Sequence, residues 1–391
     1  MQQIPCICKA KEMGLYTITC DYSPGNPGHK YADEYYNVST TDQKAVLHLA
    51  QELEVDGIVA YASDPAAPTA AYVAEKLNLP GNPYNSVKVL TEKDIFRSFL
   101  ATHGFNCPHA GGYTCFEDAY KDIEDYLFPV MVKPVDSSGS KGVVKIYDKS
   151  ELKDAADEAL SYSRGHRFLV EEFIHKKGFQ ISGDGFSVDG KLVFTSYGNE
   201  LYSGKGLRDY VALGEFWPSL MDRGMKAKID AEIQRLITAL NMKTGAYNIE
   251  VIVDENDEIY ILELGPRNGG SYIPQLIQYA TGVDLVKYTI LGALGMDCSD
   301  LETLSYSIDG CWSNYMILSK QDGFFKGIWF DKDFKQNNLY DVYCTANPGE
   351  CVHAYRNTEH SLGTILFRAD TVGQMLEITE NMEKYYQVVL E

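Results

Sequence analysis

Apolar and polar positions along the first hundred residues follow two alternating periods. A helix-like opening, "QQIPCICKAKEM", is closed by Gly14; a strand-like run "LYTITCD" follows, then a helical pattern over Asp42 to Glu54, the short run "GIVAY", and a second helical pattern over Ala66 to Leu77. Helix and strand periods in alternation predict an open α/β layer with parallel strands. Such a layer usually opens on a strand and a glycine-rich turn, whereas this chain starts at Met1 inside the first helical pattern. The expectation is therefore a layer that lacks its usual first strand, with a groove where that strand would run.

Beyond this layer the pattern changes character. "SVKVLTEKDIFRSFLATHGFNCP" reads as a helical connector, followed by a strand and a helix over Phe116 to Tyr126. Phe128 to Asp148, "FPVMVKPVDSSGSKGVVKIYD", reads as two strands around a loop of small residues, a flap with lysines at both ends of its loop. A helix over Glu151 to Tyr162, the strand "RFLVEEFI" and a hairpin turning at Val188 to Gly190 come next, where Asp-Gly suits a tight turn. A helix over Met225 to Asn241 leads into "AYNIEVIVDENDEIYILELGPRNGG", two strands joined by an acidic turn. From Tyr272 onward two helices, several strands and a closing helix over Thr371 to Gln387 are expected. The predicted fold class is α/β followed by α+β: an open layer over residues 1–89, a core over 90–294 with the flap at about 109–175, and a closing lobe over 295–391.

Composition narrows what the flap can cover. With 35 Lys+Arg against 55 Asp+Glu the formal charge is −20, which argues against a sequence-independent grip on nucleic acid or on an anionic membrane. Any phosphate is then small and locally held. The nine cysteines are scattered without a CxxC pair or zinc spacing, which suits buried thiols in a reducing, cytoplasmic compartment. No positively charged start with an apolar core and no membrane-length apolar run occurs.

The acidic hairpin carries the sharpest chemical signal. Glu250 and Glu263 fall at inward positions of its two strands, flanked by the apolar runs "NIEVIV" and "IYILEL", and Arg267 follows four residues after the second. Two carboxylates facing one site repel and are stable together with cations between them; Mg²⁺ bound by one or two carboxylates plus substrate phosphates is the usual solution. The flap supplies the opposite charge, because backbone N–H groups of Ser137, Ser138, Gly139, Ser140, Lys141 and Gly142 can surround phosphate oxygens, with Lys133 and Lys141 as point charges. "VEEFI" can present backbone groups to a purine edge while Phe173 or Ile174 packs near the ring. None of the eight histidines sits at a metal spacing.

The order of these parts (lysine helix, lysine flap, "VEEFI", then Glu, Glu and Arg) resembles the ATP-grasp superfamily of carboxylate–amine or thiol ligases over essentially the whole chain. The comparison is with phosphoribosylglycinamide synthetase, biotin carboxylase and the large carbamoyl-phosphate synthase chain, and the first layer resembles the domain that precedes the nucleotide-binding core there. The resemblance implies that Lys93 and Lys133 contact phosphates and that Ser137 to Gly142 form a lid over the triphosphate. It implies that the backbone of Glu171 and Ile174 holds adenine, with Glu172 and Phe173 between them. Glu250 and Glu263 match the Mg²⁺ ligands, with Mn²⁺ as an alternative metal, and Arg267 matches the arginine that steadies the γ-phosphate and the acyl phosphate. "RNGGS" lies where the acceptor binds. Gln180 stands where a carboxylate usually serves ribose or metal, and Gly265 stands in place of an asparagine that assists the second metal.

The implied reaction is ATP-dependent activation of a carboxylate as an acyl phosphate and attack by an amine, releasing ADP and phosphate. The partners are small-molecule carboxylate and amine substrates, with a homodimer left open. Gln180 and Gly265 favour the alternative, a nucleotide-binding or sensing relative without turnover. A dinucleotide oxidoreductase is disfavoured because no GxGxxG occurs.

Overall fold

A computed structural model describes residues 1–202 and 211–391. The first helix, Ile4–Glu12, carries proline in its first turn, where a missing N–H costs nothing, and it ends at Gly14 with φ +79°. The strand Ile18–Cys20 pairs in parallel with Glu34–Tyr36. Helices Gln43–Glu52 and Ala67–Leu77 follow, the first capped by the Asp42 side chain accepting from Ala45 N.

Two expectations for this layer change. "GIVAY" lies outside every described strand, while a polar run that alternation did not single out, Glu34–Tyr36, provides the ladder partner of Ile18–Cys20. Among the described residues no strand precedes Ile18. The layer is fastened to the rest of the chain by Cys6 and Tyr61 packing on Val286 and Ile290, and by Lys9, 3.1 Å from Asp284.

The centre of the molecule is an eight-stranded antiparallel sheet. Its order is Ile259–Gly265, Gly245–Val253, Ile181–Val188, Lys191–Tyr202, Ala212–Trp217, Cys311–Leu318, Ser361–Ala369 and Leu339–Cys344. Side chains alternate across it. Tyr247, Ile249 and Val251 pack with Phe96, Leu100 and the helix Arg223–Ala239, while Ala246 packs on the other side with the helices Ile273–Thr281 and Leu285–Ala293. Period two therefore sends Asn248 and Glu250 to the face opposite Ile249.

The flap is a separate four-stranded antiparallel sheet, ordered Ala110–Tyr113, Phe168–Glu172, Val130–Pro134 and Val144–Ile146. Val130, Val132, Phe168 and Val170 bury one face against the helices Phe116–Asp122 and Leu152–Tyr162. The connector between layer and flap is two helices, Tyr84–Thr91 and Lys93–Thr102.

The closing helix is shorter than the pattern suggests. Val372–Glu380 ends at Asn381, a short turn Met382–Tyr385 follows, and Tyr386–Leu390 forms a strand antiparallel to Gly323–Phe330. The run "YQVVL" carries two valines whose branched side chains suit a pleated ladder better than a helix.

Candidate functional site

The helix Lys93–Thr102 places Lys93 and Arg97 one turn apart on one face. Arg97 Nε donates to Glu171 Oε2 at 2.7 Å and its Nη1 to Leu262 O at 2.9 Å, so one guanidinium ties the flap strand Phe168–Glu172 to the strand Ile259–Gly265. Lys133 bonds the other oxygen of Glu171. Burial alone would push the Glu171 carboxyl up, but Arg97 and Lys133 outweigh it and hold it at about 2. Lys93 Nζ donates to Ser137 O at 2.8 Å and stands 3.7 Å from Glu263 Oε2.

The loop Ser137–Gly142 turns through left-handed backbone at Gly139 (φ +71°), Ser140 and Gly142. Glycine is required at 139, because a Cβ there would lie 2.1 Å from Thr358 Oγ1. That hydroxyl donates to Gly139 O at 2.9 Å and Lys141 lies 3.8 Å from Glu359, so the loop rests on residues 358–359 of the C-terminal stretch. In "VEEFI", Glu172 accepts from Leu127 N at 2.9 Å, and Lys145 Nζ stands 3.7 Å above the Phe173 ring centroid. Ile174 is half-buried beside them.

The strands Gly245–Val253 and Ile259–Gly265 set Glu250 directly opposite Glu263, with a bulge immediately after Glu250. Gln180 Nε2 donates to Glu200 at 2.5 Å and to Glu250 at 3.3 Å, so its amide bonds carboxylates. Tyr202 OH also donates to Glu200 at 2.6 Å. Further along the sheet Asn314 Nδ2 reaches both Glu215, at 3.0 Å, and Ser271 O, at 3.0 Å.

On this acidic face, unlike at Glu171, nearby cations do not outweigh burial. Withdrawal from water, with neighbouring Glu215, raises Glu200 to about 7; withdrawal raises Glu215 to about 8; and withdrawal, with Glu200 and Glu263, holds Glu250 well above the usual carboxylate range. Carboxyls so placed favour bound cations. Glu250 and Glu263 face each other, a carboxylate pair of the kind that can share Mg²⁺ with phosphate oxygens. Among the described residues no three His, Cys, Asp or Glu side chains converge as a complete metal cage.

Arg267 has three of its five N–H groups engaged. Its Nε donates to Asp64 Oδ1 at 2.7 Å, its Nη2 to Asp64 Oδ2 at 2.6 Å and its Nη1 to Asn268 O at 3.0 Å, and Nη2 lies 3.9 Å from Glu263. Behind it, Asp184 accepts two bonds from Gly269 N at 2.9 Å and one from Asn248 Nδ2 at 3.2 Å, which fixes the "RNGG" turn; burial raises Asp184 to about 7.

Of the residues singled out from the sequence, Lys93 links Ser137 of the flap to Glu263, which faces Glu250 and stands near Arg267, while Gln180 bonds Glu250 and Lys133 bonds Glu171; Gly139 and Lys141 instead meet residues 358–359, and Phe173 lies under Lys145. Sequence reasoning passed over Arg97, Asp184, Glu200, Glu215 and Asn314. The available signal was acidic or amide residues within strand-like runs, as in "ISGDGF", "TSYGNELY", "ALGEFW" and "CWSNYMIL", and an arginine one turn after Lys93.

Residues 126–275 match the model of the ATP-grasp domain. The chain is 24% identical over 294 residues to the carbamoyl phosphate synthase large chain of Thermotoga petrophila, a match that takes in 74% of this chain and 26% of that protein. It therefore spans about a quarter of the length of this relative. Among solved structures it is similar to the L-amino acid ligase of Bacillus licheniformis, with a TM-score of 0.84 at 22% identity over 100% of this chain and 97% of that one. It is also similar to the biotin carboxylase domain of 2-oxoglutarate carboxylase from Hydrogenobacter thermophilus, solved with MgADP and bicarbonate. That match has a TM-score of 0.74 at 18% identity, over 100% of this chain and 88% of that one. The fold is the ATP-grasp fold, and the resemblance read from the sequence holds.

Proposed function

We propose that this chain is an ATP- and Mg²⁺-dependent ligase that activates a small-molecule carboxylate as an acyl phosphate for attack by an amine or a similar nucleophile. The observation that carries the reading is Glu250 opposite Glu263, with Lys93 at 3.7 Å and Arg267 at 3.9 Å from Glu263. Carboxylates for a metal and cations for phosphates meet at one point there, as phosphoryl transfer requires.

In this reading the backbone of Glu171 and Ile174 holds the adenine edge, with Glu172 and Phe173 beside it. Lys93 and Lys133 hold phosphate oxygens, and the loop Ser137, Ser138, Gly139, Ser140, Lys141, Gly142 covers them and excludes water. Glu250 and Glu263 would hold Mg²⁺, which when bound neutralises charge between phosphate oxygens, and Gln180 orients Glu250 through its amide. Arg267 stabilises charge on the phosphoryl group as a carboxylate oxygen attacks it and ADP leaves. The amine then attacks the acyl carbon and phosphate departs. The front layer over 1–89 and the lobe over 295–391 bind the acceptors around "RNGGS", while 90–294 binds nucleotide.

We assign the protein to the cytoplasm, consistent with cysteines that are all free thiols. No helix among the described residues is long and apolar enough to cross a membrane. A second reading, a nucleotide sensor without turnover, is favoured by Gln180 in a carboxylate's place. Screening carboxylate and amine pairs with MgATP separates the two: ADP release that depends on both partners supports the ligase, and tight MgATP binding with no ADP release under any pair supports the sensor.

A further inference from the structure

Arg267 stands 3.9 Å from Glu263, yet the contact that sets its direction comes from far earlier in the chain. Asp64 belongs to the turn Ser63–Asp64–Pro65 of the front layer and grips the guanidinium with both oxygens, at 2.7 and 2.6 Å. A fork-to-fork pair of this kind fixes the plane of the guanidinium as well as its position. Packing alone does not do so, because a cavity of about 90 Å³, lined by Ala60, Ala67, Ala71, Pro266 and Gly292, adjoins Arg267.

Gly265 explains how Asp64 reaches in. A Cβ at 265 would stand 3.3 Å from both Asp64 Oδ1 and Arg267 Cζ, closer than ordinary van der Waals contact. An asparagine at this position would crowd the pair. The departure of "ELGPR" from the asparagine-containing pattern and the presence of Asp64 are two sides of one arrangement.

We propose that Asp64 is a positioning residue for the phosphoryl-transfer step, aiming Arg267 at the transferring phosphoryl group across the space that Gly265 leaves open. The proposal rests on the ligase reading above. With Nε and one Nη2 hydrogen held by Asp64 and Nη1 tied to Asn268 O, the remaining N–H of Nη2 is directed to the side where Glu263 stands, 3.9 Å away. The front layer thereby becomes part of the catalytic machinery, and movement of the turn at Asp64 changes the direction of Arg267.

The test compares binding of MgADP alone with binding of MgADP plus aluminium fluoride, a mimic of the transferring phosphoryl group, by calorimetry on the full chain. The wild-type protein should bind the fluoride complex far more tightly than MgADP. Asp64→Asn should reduce that tightening at least tenfold while leaving the affinity for MgADP within about twofold. Gly265→Asn, which keeps both charges, should do the same in smaller measure. Asp64→Asn/Arg267→Gln should be no worse than Arg267→Gln, because the aspartate acts only through the arginine. Full tightening retained by Asp64→Asn overturns the proposal, and if that variant does not fold, full tightening retained by Gly265→Asn overturns it instead. A wild-type protein that binds MgADP in neither form overturns the ligase reading itself, and the positioning role with it.

Discussion

Two groups of glutamates, one held between Arg97 and Lys133 and one along the central sheet, end in opposite electrostatic states. Glu171 is buried between Arg97 and Lys133, and its carboxyl is held at about 2. Glu200, Glu215 and Glu250 are withdrawn from water beside one another and are raised, the first to about 7 and the second to about 8. Residue type and low exposure are common to both groups, so the difference lies in the counter-charge. At Glu171 the protein's own cations outweigh burial, whereas at Glu200 and Glu250 burial and the neighbouring carboxylates outweigh Lys176, Lys93 and Arg267. In the proposed reading the first group is scaffold and the second meets the metal.

Removing the anion from the compensated group should have the largest effect. Glu171→Ala removes the carboxylate that Arg97 and Lys133 share and should cost about 3–5 kcal/mol in chemical denaturation. An equal loss for Glu250→Gln would erase the distinction between the groups. On the acidic face the cost should instead appear in turnover. Glu263→Gln keeps shape and removes charge, so ADP formation should fall by about 100-fold or more with the fold intact, and Glu250→Gln should lower it less. Unchanged turnover in both variants would remove them from the metal site.

Stability as a function of pH should show the two groups acting in opposite directions. Glu171 is lowered on folding, so its contribution is present above its unfolded value near 4.5 and is lost as pH falls towards about 2. Glu200 and Glu215 are raised from 4.5 to about 7 and about 8, so the ligand-free protein should lose stability as pH rises from about 4.5 to about 8, by about 1.4 kcal/mol per pH unit for each proton the folded state retains. Calorimetric melting at several pH values measures this, and a flat profile between 5 and 8 would contradict it. The smallest effect follows from the same repulsion: Glu250→Gln should stabilise the ligand-free protein by roughly 1 kcal/mol at pH 8, read from the denaturation midpoint.

Much of this was legible in the sequence because strands with one buried face leave a period-two trace. Glu250 and Glu263 interrupt apolar runs at matching positions, and the lysines of the flap flank a loop of small residues, so pairing and charge could be read together. Local pattern failed where long-range partners decide the structure. "GIVAY" has strand-like residues but no ladder among the described strands, and "YQVVL" is drawn from helix to strand by pairing with Gly323–Phe330. The grip of Asp64 on Arg267 spans 203 residues and leaves no periodic trace. Glu200 and Glu215 were missed for a related reason: each looks like an ordinary polar strand position until the sheet pairs the two and Gln180 links Glu200 to Glu250.

The central claim is that the acidic face and the lysine flap together hold ATP with Mg²⁺. The most direct test is the melting temperature of the ligand-free protein against that with ATP and Mg²⁺ together and with each alone. Joint addition at a hundredfold excess over Kd should stabilise the wild-type fold by about 2.7 kcal/mol, and Glu250→Gln/Glu263→Gln should lose the part that depends on Mg²⁺. No shift for the wild-type protein with ATP and Mg²⁺ well above millimolar concentration would contradict the account.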